Sequence, residues 1–166
     1  IEQLKRYALY DSLTGLYNRK YFQEEISRSG HFRTAGIIVC DVDGLKVVND
    51  TFGYDKGDAM IITTAEIIKN CFTASDIIAR IGGSEFAAIF YDVPKKDIEA
   101  ACGKLKDTIE DYNALHEDIP LSLSVGYAIG RTSNLEELFS IAGNNMYREK
   151  LHRSKSSRST VHIVSS

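Results

Sequence analysis

Two short stretches carry residues whose type and spacing could do chemistry. In "GIIVCDVDG" (36–44), Asp41 and Asp43 flank Val42 at the end of a β-branched run. A strand's period of two puts both carboxylates on the same side of the chain as it leaves a sheet. Mg²⁺ takes carboxylate oxygens of this kind and shares them with substrate phosphates. The same residues also make an ordinary strand end, with Asp43 and Gly44 as turn formers. An EF-hand is rejected, because Gly44 arrives too early and Phe52 stands where the closing glutamate belongs. In "ARIGGSEFAAIF" (79–90), Gly82, Gly83, Ser84 and Glu85 separate two apolar runs and suit a tight antiparallel hairpin. A strand ending in acids beside a hairpin whose turn carries another acid is the layout of palm-type phosphoryl-transfer sites, where two metals clamp the attacking and leaving oxygens. Gly82 and Gly83 either let backbone approach a nucleotide or simply make the turn.

The elements that must position these residues follow from periodicity. Ile1, Leu4, Ala8 and Leu9 share a helical stripe, so residues 1–10 read as the end of an upstream connecting helix and 11–166 as a single domain. Asn18 caps a helix carrying Phe22 and Ile26. After the strand ending at Asp41, Asp58 is expected to open a helix rich in isoleucine. The glycine hairpin comes next, then an amphipathic helix from Lys95 to Leu115 with Ile98, Cys102, Leu105, Ile109 and Tyr112 on one side. "LSLSVGYAIG" (121–130) alternates like a half-buried strand, and Asn134 with Glu137 starts a last helix in capping-box fashion. A basic, serine-rich piece leads to a terminal strand, "VHIV". This order predicts an α+β fold with a mainly antiparallel central sheet surrounded by helices, its core a split βαβ arrangement.

Composition narrows the classes. The chain has 166 residues, 43% of them hydrophobic, enough for one packed core. A net charge of −3 supplies no basic field for nucleic acid or an anionic membrane, so phosphate must be held locally. The apolar runs are far too short to span a bilayer. Cys40, Cys71 and Cys102 lack paired spacing and His31, His116, His152 and His162 are scattered, so no disulfide framework or zinc site is suggested.

The sequence resembles the GGDEF family of diguanylate cyclase domains along nearly its whole length. "DSLTGLYNRKYF" (11–22) is similar to the family's D-x-L-T-G-L-x-N-R opening, and "DVDGLKVVNDTFGYDKGD" (41–58) to its D-x-D-x-F-K-x-x-N-D…G-H-x-x-G-D block. "RIGGSEF" corresponds to the signature hairpin, "SVG" (124–126) to a later strand, and "AGNNMYREK" (142–150) to A-D-x-A-M-Y-x-A-K. The resemblance implies a palm-like nucleotidyl cyclase sheet and two domains meeting face to face, each with one GTP. The 3'-hydroxyl of each GTP then attacks the α-phosphate of the other, giving cyclic di-GMP and pyrophosphate.

Carried over by position, the resemblance implies that Asp41, the Val42 carbonyl and Glu85 hold Mg²⁺. Gly44 and Leu45 offer backbone N–H groups, and Lys46 a charge, to phosphates, beside the glycine turn of Gly82 and Gly83. Asn49 and Asp58 read the guanine edge, with a helix N-cap as a second role for Asp58. Lys150 reaches the terminal phosphates. Its usual arginine partner four residues on is Ser154 here, and Arg158, in "RSTV", either replaces it after a four-residue insertion or is a solvated loop residue.

The pattern breaks at the third signature position, where Ser84 replaces the acid that bridges the metals and helps deprotonate the attacking hydroxyl. Serine is neutral, a poor Mg²⁺ ligand beside carboxylates and too weak a base. Glu85 survives next door; strand alternation would send it to the other face, although a turn can relax that rule. Tyr54 and Gly143 also depart from the family pattern, and the product-binding R-x-x-D motif reads Thr73 to Asp76, without its arginine. The expectation is a cytoplasmic signalling domain of cyclic di-GMP metabolism with impaired catalysis, in a longer protein carrying an upstream sensor and able to be membrane-anchored. It would bind GTP and Mg²⁺ weakly and act as a regulatory module that dimerises at least transiently. The alternative is an active diguanylate cyclase using Asp41 and Glu85. A D-x-D glycosyltransferase shares the acid pair but leaves the hairpin and last helix unexplained.

Overall fold

The computed structural model describes residues 8–28 and 30–153, and the backbone of 161–165. Among the described residues, five helices and five strands form one layered unit: α1 (Arg19–Ser27), β1 (Arg33–Val42), α2 (Leu45–Phe52), α3 (Tyr54–Cys71), β2 (Ile77–Arg80), β3 (Glu85–Tyr91), α4 (Lys95–Leu115), β4 (Leu123–Thr132), α5 (Leu135–Arg153) and β5 (Val161–Ser165). The sheet order is β2-β3-β1-β4-β5. Its first four strands are antiparallel neighbours and β5 joins β4 in parallel. Strands β1 to β4 thus form the split βαβ core that the element order predicts.

Alternation along β1 divides the core in two. Ile38, Cys40 and Val42 pack toward α3 and α4, against Ile61, Ile68, Ile98 and Leu105. Ala35, Ile37 and Val39 face the other way, against Phe22 of α1 and Leu138, Ala142 and Met146 of α5. Asp41 continues the second row, so its carboxylate emerges under the C-terminal end of α5.

Two helix expectations need correction. Asp58 does not open a helix and is not an N-cap: α3 begins at Tyr54, after Gly53, and Asp58 lies one turn inside. Also, the eight-residue α2 was not foreseen, because Leu45, Val48 and Phe52 make a stripe of only two turns, of which Val48 alone is buried. Asn18 does cap α1, its side chain accepting from the Tyr21 N–H, and Asn134 accepts from the Glu137 N–H at the start of α5. Of the upstream connecting helix, only Ala8 and Leu9 fall within the described residues, and both are helical.

Candidate nucleotide site

The end of β1 is held between two strands and one helix. Asp41 pairs in register with Glu85 of β3 on one side and Ser124 of β4 on the other. Directly opposed residues of antiparallel strands share a face, so all three point toward α5. That helix can lie this close because of Gly126. A Cβ there would stand 2.1 Å from the Met146 nitrogen and 2.5 Å from the Ala142 carbonyl oxygen, both backbone atoms. The buried Asn145 side chain also donates to the Tyr127 carbonyl at 3.0 Å, fixing the turn of α5 that precedes Lys150.

Asp41 is the most enclosed acid at the site, its side chain 6% exposed. The Ser84 hydroxyl donates to its Oδ1 at 2.5 Å, and the Lys150 ammonium pairs with Oδ2. Ser84 lies in the turn before β3 rather than in the strand, so the alternation that would separate it from Glu85 does not apply. Both residues line the same groove.

Asp43 does not join Asp41. Its two oxygens accept from the Ser122 and Ser124 hydroxyls, both at 2.8 Å, and the Arg153 guanidinium sits 3.5 Å away. Arg153 also donates to the Ser122 hydroxyl and the Leu123 carbonyl. Burial lowers the Arg153 pKa while Asp43 and Glu149 oppose the shift, so this cation is held as part of the protein frame. The paired acids expected to act together are therefore separated by their partners: one meets the signature turn and Lys150, and the other ties β4 to α5.

The signature turn is fixed from both ends. The Val42 N–H donates to the Ser84 carbonyl at 2.9 Å, and the Ile81 N–H to the Glu85 carbonyl at 2.8 Å. Arg80 donates to the Gly83 carbonyl at 2.8 Å and pairs with Asp11, whose carboxylate also accepts from Thr14.

Facing this turn is an open groove of about 500 Å³, lined by Leu45, Lys46 and Asn49 of α2 together with Gly82, Gly83, Ser84 and Glu85. Asp50 and Tyr54 complete its wall. Gly44 caps α2 in the left-handed region, at φ 74° and ψ 16°, with no side-chain cap for the first N–H groups. A helix start of this kind suits an anion. Asn49 lies against Gly57, where a Cβ would fall 1.7 Å from its Oδ1, and that oxygen is buried without a hydrogen-bond partner. Asp58 follows Gly57 in the chain but is exposed and is not part of the groove wall. Arg158 lies outside the described residues.

The residues present do not fit the divalent cations that the family resemblance implies. Both Asp41 oxygens already have partners, Asp43 is committed to Ser122, Ser124 and Arg153, and the third signature position offers a hydroxyl. Among the described residues no cluster of three or more His, Cys, Asp or Glu side chains could hold a metal. Lys150 and Ser84 thus occupy the Asp41 oxygens that the set of Asp41, Val42 and Glu85 would offer to a metal.

Several residues of consequence were missed in the sequence: Arg153, Ser122 and Ser124 as partners of Asp43, Asp11 and Arg80 as supports of the turn, and Gly57 as the seat of Asn49. Asp11, Gly57, Arg80 and Ser124 lie inside the family-like motifs, but their contacts do not show in the sequence. Those contacts depend on which strands and helices adjoin.

Comparison with known proteins gives the family and the fold. The family profile described as "Diguanylate cyclase, GGDEF domain" matches residues 8–156. The chain is 33% identical over 161 residues to the diguanylate cyclase DgcN of Escherichia coli, covering 92% of this chain and 40% of that protein. It is 32% identical over 144 residues to the cyclic di-GMP phosphodiesterase PdeB of Shewanella oneidensis, covering 82% of this chain and 16% of that protein. The coiled coil and GGDEF domain of DgcB from Caulobacter crescentus, solved with c-di-GMP, superposes with a TM-score of 0.81 at 25% identity, covering 99% and 89% of the two chains. The chain spans well under half the length of these two sequence relatives, and the part it matches is the unit whose sheet, signature turn and last helix are described above. With its profile matched over most of its length and its strand order that of a split βαβ sheet, this chain belongs to the GGDEF family.

Proposed function

We propose that this GGDEF domain binds a guanine nucleotide in the groove between α2 and the signature turn, and acts as a regulatory module of cyclic di-GMP signalling with its cyclisation chemistry impaired. The carrying observation is the Ser84 hydroxyl at the third signature position, donating to Asp41. A group that donates there cannot take a proton from an attacking 3'-hydroxyl, and at neutral pH a serine is too weak a base to do so. Losing one charged group from such a centre costs several kcal/mol of transition-state stabilisation.

What remains suits binding. The α2 N-terminus and Lys46 offer positive potential to phosphate. Asn49 brings an amide to the groove wall, with an acceptor that a purine amino group could satisfy after the amide turns. Asp58, which follows Gly57 in the chain, supplies an exposed carboxylate, and in guanine reading it would accept from N1–H and the exocyclic amine, a pair that adenine lacks. Domains of this family occur in relatives named for making cyclic di-GMP and in one named for degrading it. A module that senses nucleotide and pairs with a second copy, beside an upstream sensor in a longer cytoplasmic protein, is consistent with both.

Incubation with GTP and Mg²⁺ is expected to yield no cyclic di-GMP above a Glu85→Ala control. A second reading, an active cyclase, is favoured by the register that places Glu85 opposite Asp41. Product formation that disappears in the Glu85→Ala variant would establish it.

A further inference from the structure

The mismatch between this site and a divalent cation has a specific cause in the chain. Lys150 reaches Asp41 from α5, which Gly126 allows to lie directly on β4. Asp41, Glu85, Lys150 and Ser84 together carry one net negative charge. An acid at position 84 would double that excess and strengthen the demand for a second cation; the serine lowers that demand and donates a hydrogen bond to the same carboxylate. From these contacts we infer that Lys150 is the resident cation of this site, so that the domain binds guanine nucleotides without a divalent metal and holds the diphosphate at least as well as the triphosphate.

The preference for fewer phosphates follows from charge. The groove wall carries Lys46 against Asp50 and Glu85, one net negative charge. Lys150 is already paired, so a γ-phosphate meets little uncompensated positive potential and adds repulsion from Glu85. Binding is led by the base at Asn49, with the first phosphates at the α2 N-terminus. This rests on the nucleotide-binding reading above.

Calorimetric titration with GDP and GTP, each in EDTA and in Mg²⁺, tests both parts. The expected result is binding in EDTA, a change of less than about twofold on adding Mg²⁺, and GTP no tighter than GDP. A rise in GTP affinity of about tenfold or more with Mg²⁺ would overturn the inference and leave the nucleotide reading standing. No binding of either nucleotide in either buffer would overturn the reading and the inference with it. Mn²⁺ alone, followed by its paramagnetic resonance, is expected not to bind the wild type and to bind Lys150→Met, where Asp41 is released. Mn²⁺ binding to the wild type that Asp41→Asn abolishes would overturn it. Ser84→Asp is expected to make GTP binding Mg²⁺-dependent. Circular dichroism establishes that each variant folds, and the wild-type titrations decide the matter even if a variant does not.

Discussion

Asp41 and Asp43 are two residues apart on one strand, yet the surroundings of each assign it a different task. Asp41 is paired with an ammonium whose side chain is 42% exposed and with a hydroxyl from the turn that lines the groove. Asp43 is held by Ser122, just before β4, by Ser124 of β4 and by a guanidinium whose side chain is 9% exposed. The partners of the first cluster stand at the groove, one in its wall and one solvated and long. Those of the second belong to the packed frame, where the Asp43 carboxylate offsets the burial of Arg153. Two identical residue types thus divide into a group beside the groove and a structural tie, and the division lies in what α5 brings to each.

Removing the shared helix contact should break both halves at once. Gly126→Ala places a methyl against the backbone of α5, and a loss of about 3 kcal/mol in denaturant-derived stability is expected, since backbone cannot move aside as a side chain can. Asp43→Ala should lose about 2 kcal/mol, as it removes the carboxylate that accepts from Ser122 and Ser124 and offsets the burial of Arg153; guanine-nucleotide affinity, followed by calorimetry, should hardly move. A large loss of binding with unchanged stability would reverse the assignment of the two acids. Gly57→Ala should do the opposite to Asp43→Ala: the added methyl displaces the Asn49 amide, lowering nucleotide affinity about tenfold while the denaturation midpoint changes little. Smallest is Ser84→Ala, which removes one hydrogen bond to Asp41 and should cost about 1 kcal/mol or less. A thermal melt distinguishes this from a turn held mainly by Arg80, which would leave the value near zero.

Most of the fold was legible because its signals are local and repeated. The stripe Ile98, Cys102, Leu105 and Ile109 specifies α4 to the residue, and the caps at Asn18 and Asn134 announce α1 and α5. The glycine turn between two apolar runs marks the β2–β3 hairpin. Helix α2 was hidden by its shortness, and the start of α3 was misplaced at Asp58 because an acid before an apolar run looks like a cap. The candidate site was legible as a list of residue types, with Ser84 visible as the departure. The fate of its acids was not: Ser122, Ser124 and Arg153 give no sign in the sequence that they converge on Asp43.

The sequence by itself determined the family, the alternation that makes a two-faced sheet, and the replacement of a carboxylate by Ser84 in the signature turn, since each resides in consecutive residues. Only the tertiary structure decided that Asp41 pairs with Lys150, that Asp43 is a tie and that Asn49 rests on Gly57. Those contacts join residues from 8 to more than 100 positions apart. They are set by strand order and by how closely α5 can approach β4, which no local pattern encodes.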